Sequence, residues 1–203
     1  ATTGEFNTSL GALSMGAGVT TGNDNVAVGH LAGEDLTSGA SNVLVGKGAG
    51  GSLTSGFYNV AIGHAALAVE TSRGRNIAIG YAALNILSTS GGDGNNVAIG
   101  MESGKLMTTG IQNTLVGANA GDSLTTGGFN VAIGYNALST EDAHGTNIAI
   151  GKSALQNLNA GTNAYNVAVG FEAGLSVSTG NENTLIGGLA GDALTTGSAN
   201  VAV

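Results

Sequence analysis

The chain of 203 residues has 37 glycines and no proline, cysteine or tryptophan. Its net charge is -8, and Lys47, Arg73, Arg75, Lys105 and Lys152 are its only fixed cations. So few cations cannot make the basic stripe that phosphate neutralisation needs, which argues against nucleic acid as a partner. Without cysteine no disulfide framework is possible, and no run approaches the roughly 18 apolar residues of a membrane helix, so no membrane insertion is expected. Charged residues at 9% with apolar residues at 42% argue against disorder, which needs the opposite balance.

In chain order, Ala1-Thr2-Thr3-Gly4-Glu5-Phe6-Asn7 matches Leu194-Thr195-Thr196-Gly197-Ser198-Ala199-Asn200 near the other end. Both ends thus fall in mid-repeat, and a piece of a longer array is expected. A degenerate copy of the repeat opens at Asn7 (NTSLG), and the first full one is Asn25-Val26-Ala27-Val28-Gly29. The motif returns at Asn42, Asn59, Asn76, Asn96, Asn113, Asn130, Asn147, Asn166 and Asn183, and a truncated copy starts at Asn200. The spacings are 18, 17, 17, 17, 20, 17, 17, 17, 19, 17 and 17 residues. A fixed period of this size predicts one repeat array over 1–203, a solenoid of about twelve coils.

With the Asn as position 1, a typical repeat reads N-V-A-V-G-x-x-A-G-x-x-L-T-T-G-x-x. Positions 2 and 4 are β-branched almost throughout, and period-two alternation predicts a short strand. Position 3 is Ala in eight copies and Leu at Leu44, Leu115 and Leu185. That face is also apolar, so it is expected to meet a second sheet or another chain. Ala at position 8, Leu at 9 or 12 and a Thr-Thr-Gly or Thr-Ser-Gly cluster follow. They suggest a corner, a second short extended stretch and a turn. The fold expected is all-β, a parallel β-solenoid or β-roll of about 17-residue coils that cannot fold singly.

There is a longer period as well. Residues 42–112 and 113–182 align as two four-repeat blocks of about 70 residues, and 183–203 begins a third. Duplication of a four-coil unit explains this, as would a binding patch presented on every fourth coil.

Asn25, Asn42, Asn59, Asn76, Asn96, Asn113, Asn130, Asn147, Asn166 and Asn183 form the most regular column. In-register asparagines can hydrogen-bond along the stacking axis, and Asn also suits αL and Asx-turns; both readings are structural. The Thr column, including Thr37-Ser38, Thr54-Ser55, Thr108-Thr109 and Thr125-Thr126, allows a turn ladder or an array that orders water. Gly91-Gly92-Asp93-Gly94-Asn95 distantly resembles a calcium-binding roll, but one Asp does not make the repeated ligand set. His30 and His64 lie two coils apart, too far to share a metal. All eight aromatics flank the strand, and Tyr81, Tyr135 and Phe171 just after the motif Gly are candidate receptor contacts; edge packing is the alternative. No Ser/His/Asp set, carboxylate cleft or phosphate loop is present, so no enzyme activity, cofactor or metal is expected.

Asn59-Val60-Ala61-Ile62-Gly63 and Asn130-Val131-Ala132-Ile133-Gly134-Tyr135-Asn136-Ala137-Leu138 resemble the head repeats of YadA-like trimeric autotransporter adhesins. They are still more similar to the NxAxGxxAL repeats of phage tail fibres and related surface proteins. The resemblance covers the whole chain, although the adhesin repeat is shorter, near fourteen residues. It implies a homotrimer of parallel chains and an extracellular attachment fibre, on a virion tail or a bacterial surface, that meets a host glycan or protein receptor. If position 3 lies between chains, Asp at Ala132 or Ala149 should split the assembly. The competing reading is a monomeric ice- or ligand-binding solenoid that uses its Thr ladder.

Overall fold

In the computed structural model, residues 3–16, 18–87 and 93–203 are described. Twelve strands form one parallel sheet in sequence order, from Thr8–Leu10 and Val26–Val28 to Val201–Ala202. They bound about eleven coils. Equivalent positions pair: Val26, Ala27 and Val28 face Val43, Leu44 and Val45, and the next strand continues with Val60, Ala61 and Ile62.

No strand exceeds three residues, because position 5 must turn away. The motif glycines from Gly11 to Gly187 have φ between 130° and 145°, which a side chain rarely adopts. A Cβ on Gly117 would also stand 2.5 Å from the carbonyl oxygen of Gly134 in the next coil. This position is therefore closed to every other residue.

Among the described residues no second strand follows, contrary to the sequence expectation of a second extended stretch. Positions 7 and 9 are αL, as at Asn119 and Leu138, and so is position 17 before the Asn, as at Phe129. Each such non-glycine residue costs roughly 1–2 kcal/mol, so the pattern persists only where the surroundings impose it. They do so here through backbone bonds to the neighbouring coils. Asn136 N donates to Ala118 O at 3.1 Å, and Leu138 N donates to Ala154 O at 3.0 Å. Positions 6–15 thus wind back as a turn-built arm that bonds to the coils on either side without being a strand.

This arm corrects the expectation for position 3. Ala27, Leu44, Ala61, Leu115, Ala132 and Ala149 point inward within one chain and are fully buried. They pack beneath arm residues such as Leu36, Leu53, Leu67, Leu84, Met107 and Leu124, with no second sheet and no other chain involved. Ala132→Asp would therefore disrupt the coil itself and is no probe of assembly. Positions 2 and 4 face outward instead.

The four-coil period has a packing cause. Leu44 reaches the positions that a Cβ would occupy on Gly33 and Gly50, at 2.8 and 2.7 Å. Leu115 does the same to Gly104 and Gly121, and Leu185 to Gly174 and Gly191. In the three intervening coils position 3 is Ala; in two of them the volume is filled from position 9 by Leu67 and Leu84, or by Leu138 and Leu155, and in the third, at Gly104 or Gly174, by the leucines of the coils on either side. Every layer stays close-packed while the large residue alternates between strand and arm.

Candidate functional site

Three repeated features are built from these coils: the buried Asn column, the edge after the motif Gly, and the outer face of the sheet. In the first, each Asn Oδ1 accepts the backbone N–H of the next Asn, from Asn25 N on Asn7 at 2.8 Å to Asn200 N on Asn183 at 3.0 Å. Most Nδ2 groups close their own coil by donating to the carbonyl of position 15, as Asn113 does to Gly127 O at 2.9 Å. Asn76 and Asn147 donate to Gly74 O and Gly145 O instead, two residues back. The ten asparagines from Asn25 to Asn183 are fully buried. The column is a scaffold that ties strand to arm and coil to coil, and it offers no surface to a ligand.

The Thr column is also engaged internally. Thr37, Thr54, Thr108 and Thr125 donate their hydroxyls to the carbonyls of Thr54, Thr71, Thr125 and Asp142 in the following coil. These hydroxyls secure the arm, which favours the turn-ladder reading over the water-ordering one.

The edge after the motif Gly carries Tyr81, Tyr135 and Phe171, each about half exposed. The structure does not bring the three together, because they lie three and two coils apart, on the order of 14 and 10 Å. Two of them join local groups: Tyr81 meets the ring of His64 at 5.5 Å, and Lys152 lies 4.8 Å over Phe171 while reaching Glu172 at 3.1 Å. On the far edge Phe57 and Tyr58 make an edge-to-face pair. Asp93 of the Gly-rich segment forms an ion pair with Arg75; Gly91 and Gly92 lie outside the described residues. Lys105 donates to Glu102 at 2.9 Å, which holds its ammonium above the ordinary range, while burial pushes the nearby Asp122 carboxyl up. Such exposed pairs contribute little to stability.

The outer face of the sheet is the largest uniform surface. From Val26 to Ile186 the outward residues are Val or Ile except Thr114 and Thr184. All of these residues are half-buried or exposed, with Ile62, Ile99, Ile133 and Ile148 each 37% exposed. Sequence reasoning identified this alternation and read both faces as apolar, but it looked for another chain on the position 3 face and not on this one.

One group of potential ligands escaped the sequence reading. Glu141, Asp142 and His144 place one ligand atom each within 4.8 Å of one another, the only such group of three among the described residues. The signal was the replacement of Leu-Thr-Thr-Gly by Glu-Asp-Ala-His in one arm. No protein-family model, no curated protein and no solved structure matches this chain.

Proposed function

We propose that the chain is a shaft segment of an extracellular attachment fibre, a homotrimer whose chains meet through the outer Val/Ile face of the sheet. That face is the observation that carries the reading. It is on the order of 50 Å long and roughly 10 Å across, about 500 Å² of nearly continuous apolar surface. This matches the largest patches found on monomers, which commonly mark interaction sites. A flat parallel face with in-register Val and Ile columns suits another copy of itself, since each coil would meet an equivalent coil. The threefold arrangement rests on the likeness of the Asn-Val-Ala-Ile-Gly repeats to those of trimeric fibres.

The same likeness, and the rod geometry, support a place on a virion tail or a bacterial surface. With the sheet face covered, the half-exposed aromatics Tyr81, Tyr135 and Phe171 remain at an edge where a glycan or protein receptor can stack. Attachment is tested by binding the fluorescently labelled chain to glycan arrays and to bacterial cells. The expected result is saturable binding that falls at least about tenfold when the three aromatics are replaced by Ala, a loss of about 1.4 kcal/mol. Equal binding by the triple variant removes this edge from the contact; no binding to any surface rejects attachment by this segment.

A further inference from the structure

Glu70 and Glu141 occupy one position in successive four-coil blocks, position 12 of the arm, where Leu36, Leu53, Leu87, Met107, Leu124, Leu158 and Val177 stand in other coils. Both glutamates are fully buried, and a buried carboxylate requires compensation. In the earlier coil the turn satisfies one oxygen: Glu70 Oε1 accepts N–H groups from Thr71, Ser72 and Arg73 at 2.8, 2.9 and 2.8 Å, while Oε2 is buried without a hydrogen-bond partner. In the later coil the same turn is looser. Glu141 Oε1 accepts only His144 N at 3.2 Å, and Oε2 accepts Ala160 N from the next coil at 3.3 Å.

What replaces the missing donors is an imidazole. His144 Nδ1 lies 3.4 Å from Glu141 Oε1, is buried, and has no hydrogen-bond partner. That separation is long for an N–H···O bond, which prefers 2.7–3.2 Å. It is, however, the spacing of two ligand atoms bound at about 2.1 Å to one tetrahedral ion, about 3.4 Å. The carboxylate of Asp142 lies within 4.8 Å of the other two ligand groups, and a small side-chain rotation inward completes the set, since two atoms bound at about 2.1 Å can be no more than about 4.2 Å apart.

We propose that Glu141, Asp142 and His144 bind one divalent first-row transition ion, with Zn²⁺ the best fit. One imidazole nitrogen with two carboxylates suits Zn²⁺; a calcium site would need six to eight oxygens. Solvent supplies the fourth ligand, since the His144 side chain is 28% exposed. The ion takes the place of the turn N–H groups that satisfy Glu70 Oε1, and so holds the arm of this coil against Ala160. The site lies on the arm, away from the Val/Ile face, and does not depend on the assembly proposed above.

The earlier block supplies the control. Asp142→Thr with His144→Arg writes the Glu-Thr-x-Arg of residues 70–73 into the later coil, a sequence the fold already accommodates. Chelator-treated protein is titrated with Zn²⁺ by calorimetry, and with Co²⁺ by visible absorption. One equivalent per chain and the intense bands of tetrahedral Co²⁺ are expected. The double variant should retain its circular dichroism and lose at least about tenfold in affinity, as should His144→Ala. Absence of stoichiometric binding overturns the proposal, as does binding that survives in the double variant.

Discussion

Gly121→Leu is expected to destabilise the stack by about 3 kcal/mol or more, and Leu115→Ala in the same chain to recover most of that loss. The φ of 56° at Gly121 is the smaller obstacle, at roughly 1–2 kcal/mol, because Leu84, Leu138 and Leu155 sit at the equivalent position with φ of 46°, 53° and 48°. The larger obstacle is volume. A Cβ on Gly121 would stand 2.9 Å from Leu115 Cδ2 and 2.8 Å from Leu124 Cδ1, inside a packed layer. Overpacking typically costs about 1–3 kcal/mol, and this side chain is four carbons larger than its host site. Leu115→Ala alone should cost about 2–5 kcal/mol by leaving a cavity between Gly104 and Gly121. Together the two changes turn a coil with Leu on the strand into one with Leu on the arm. Leu155 with Leu158 shows that Leu is compatible at positions 9 and 12 of one coil. A denaturant double-mutant cycle checks this; additive losses would reject the packing origin of the four-coil period.

Asn113→Ala should cost about 4 kcal/mol, more than its small change of volume suggests. Asn113 Oδ1 accepts Asn130 N at 2.9 Å, and its Nδ2 donates to Asn96 Oδ1 at 3.2 Å and to Gly127 O at 2.9 Å. Alanine leaves a buried N–H and a buried carbonyl without partners, at roughly 1–3 kcal/mol each. Because each coil touches only its neighbours, the damage should stay local. Amide exchange should accelerate in residues 96–147 and remain slow near Asn25 and Asn42. A loss under about 1 kcal/mol would mean that the column is incidental to stability.

Much of the coil was legible in the sequence because its constraints recur in every copy. The Asn, the motif Gly and the alternation at positions 2–4 are columns, and the strand and its parallel register follow from them. The arm was less legible. Its αL residues at positions 9 and 17 include Leu138 and Phe129, types that carry no local signal for that conformation. The bonds between coils impose it. For the same reason position 3 was read as a contact surface, since nothing local reveals that turns alone can cover the Ala and Leu column. The Glu141, Asp142 and His144 group falls within four residues, but in sequence it reads only as one divergent copy of the Leu-Thr-Thr-Gly turn. Tyr81, Tyr135 and Phe171 were found from their place beside the strand, and their separation along the rod followed only from the coil spacing.

The outward Val/Ile face is the center of the account, and the mass of the chain in solution tests it most directly. Light scattering on the unaltered protein should give three times 19.5 kDa, and Ile133→Glu should lower it. Ile133 is 37% exposed in the single chain and points away from the coil interior, so its replacement acts on the face proposed to be shared. A dimer would keep the face as an interface and reject the threefold arrangement. A stable, fully folded 19.5 kDa monomer, indifferent to Ile133→Glu, would contradict the account.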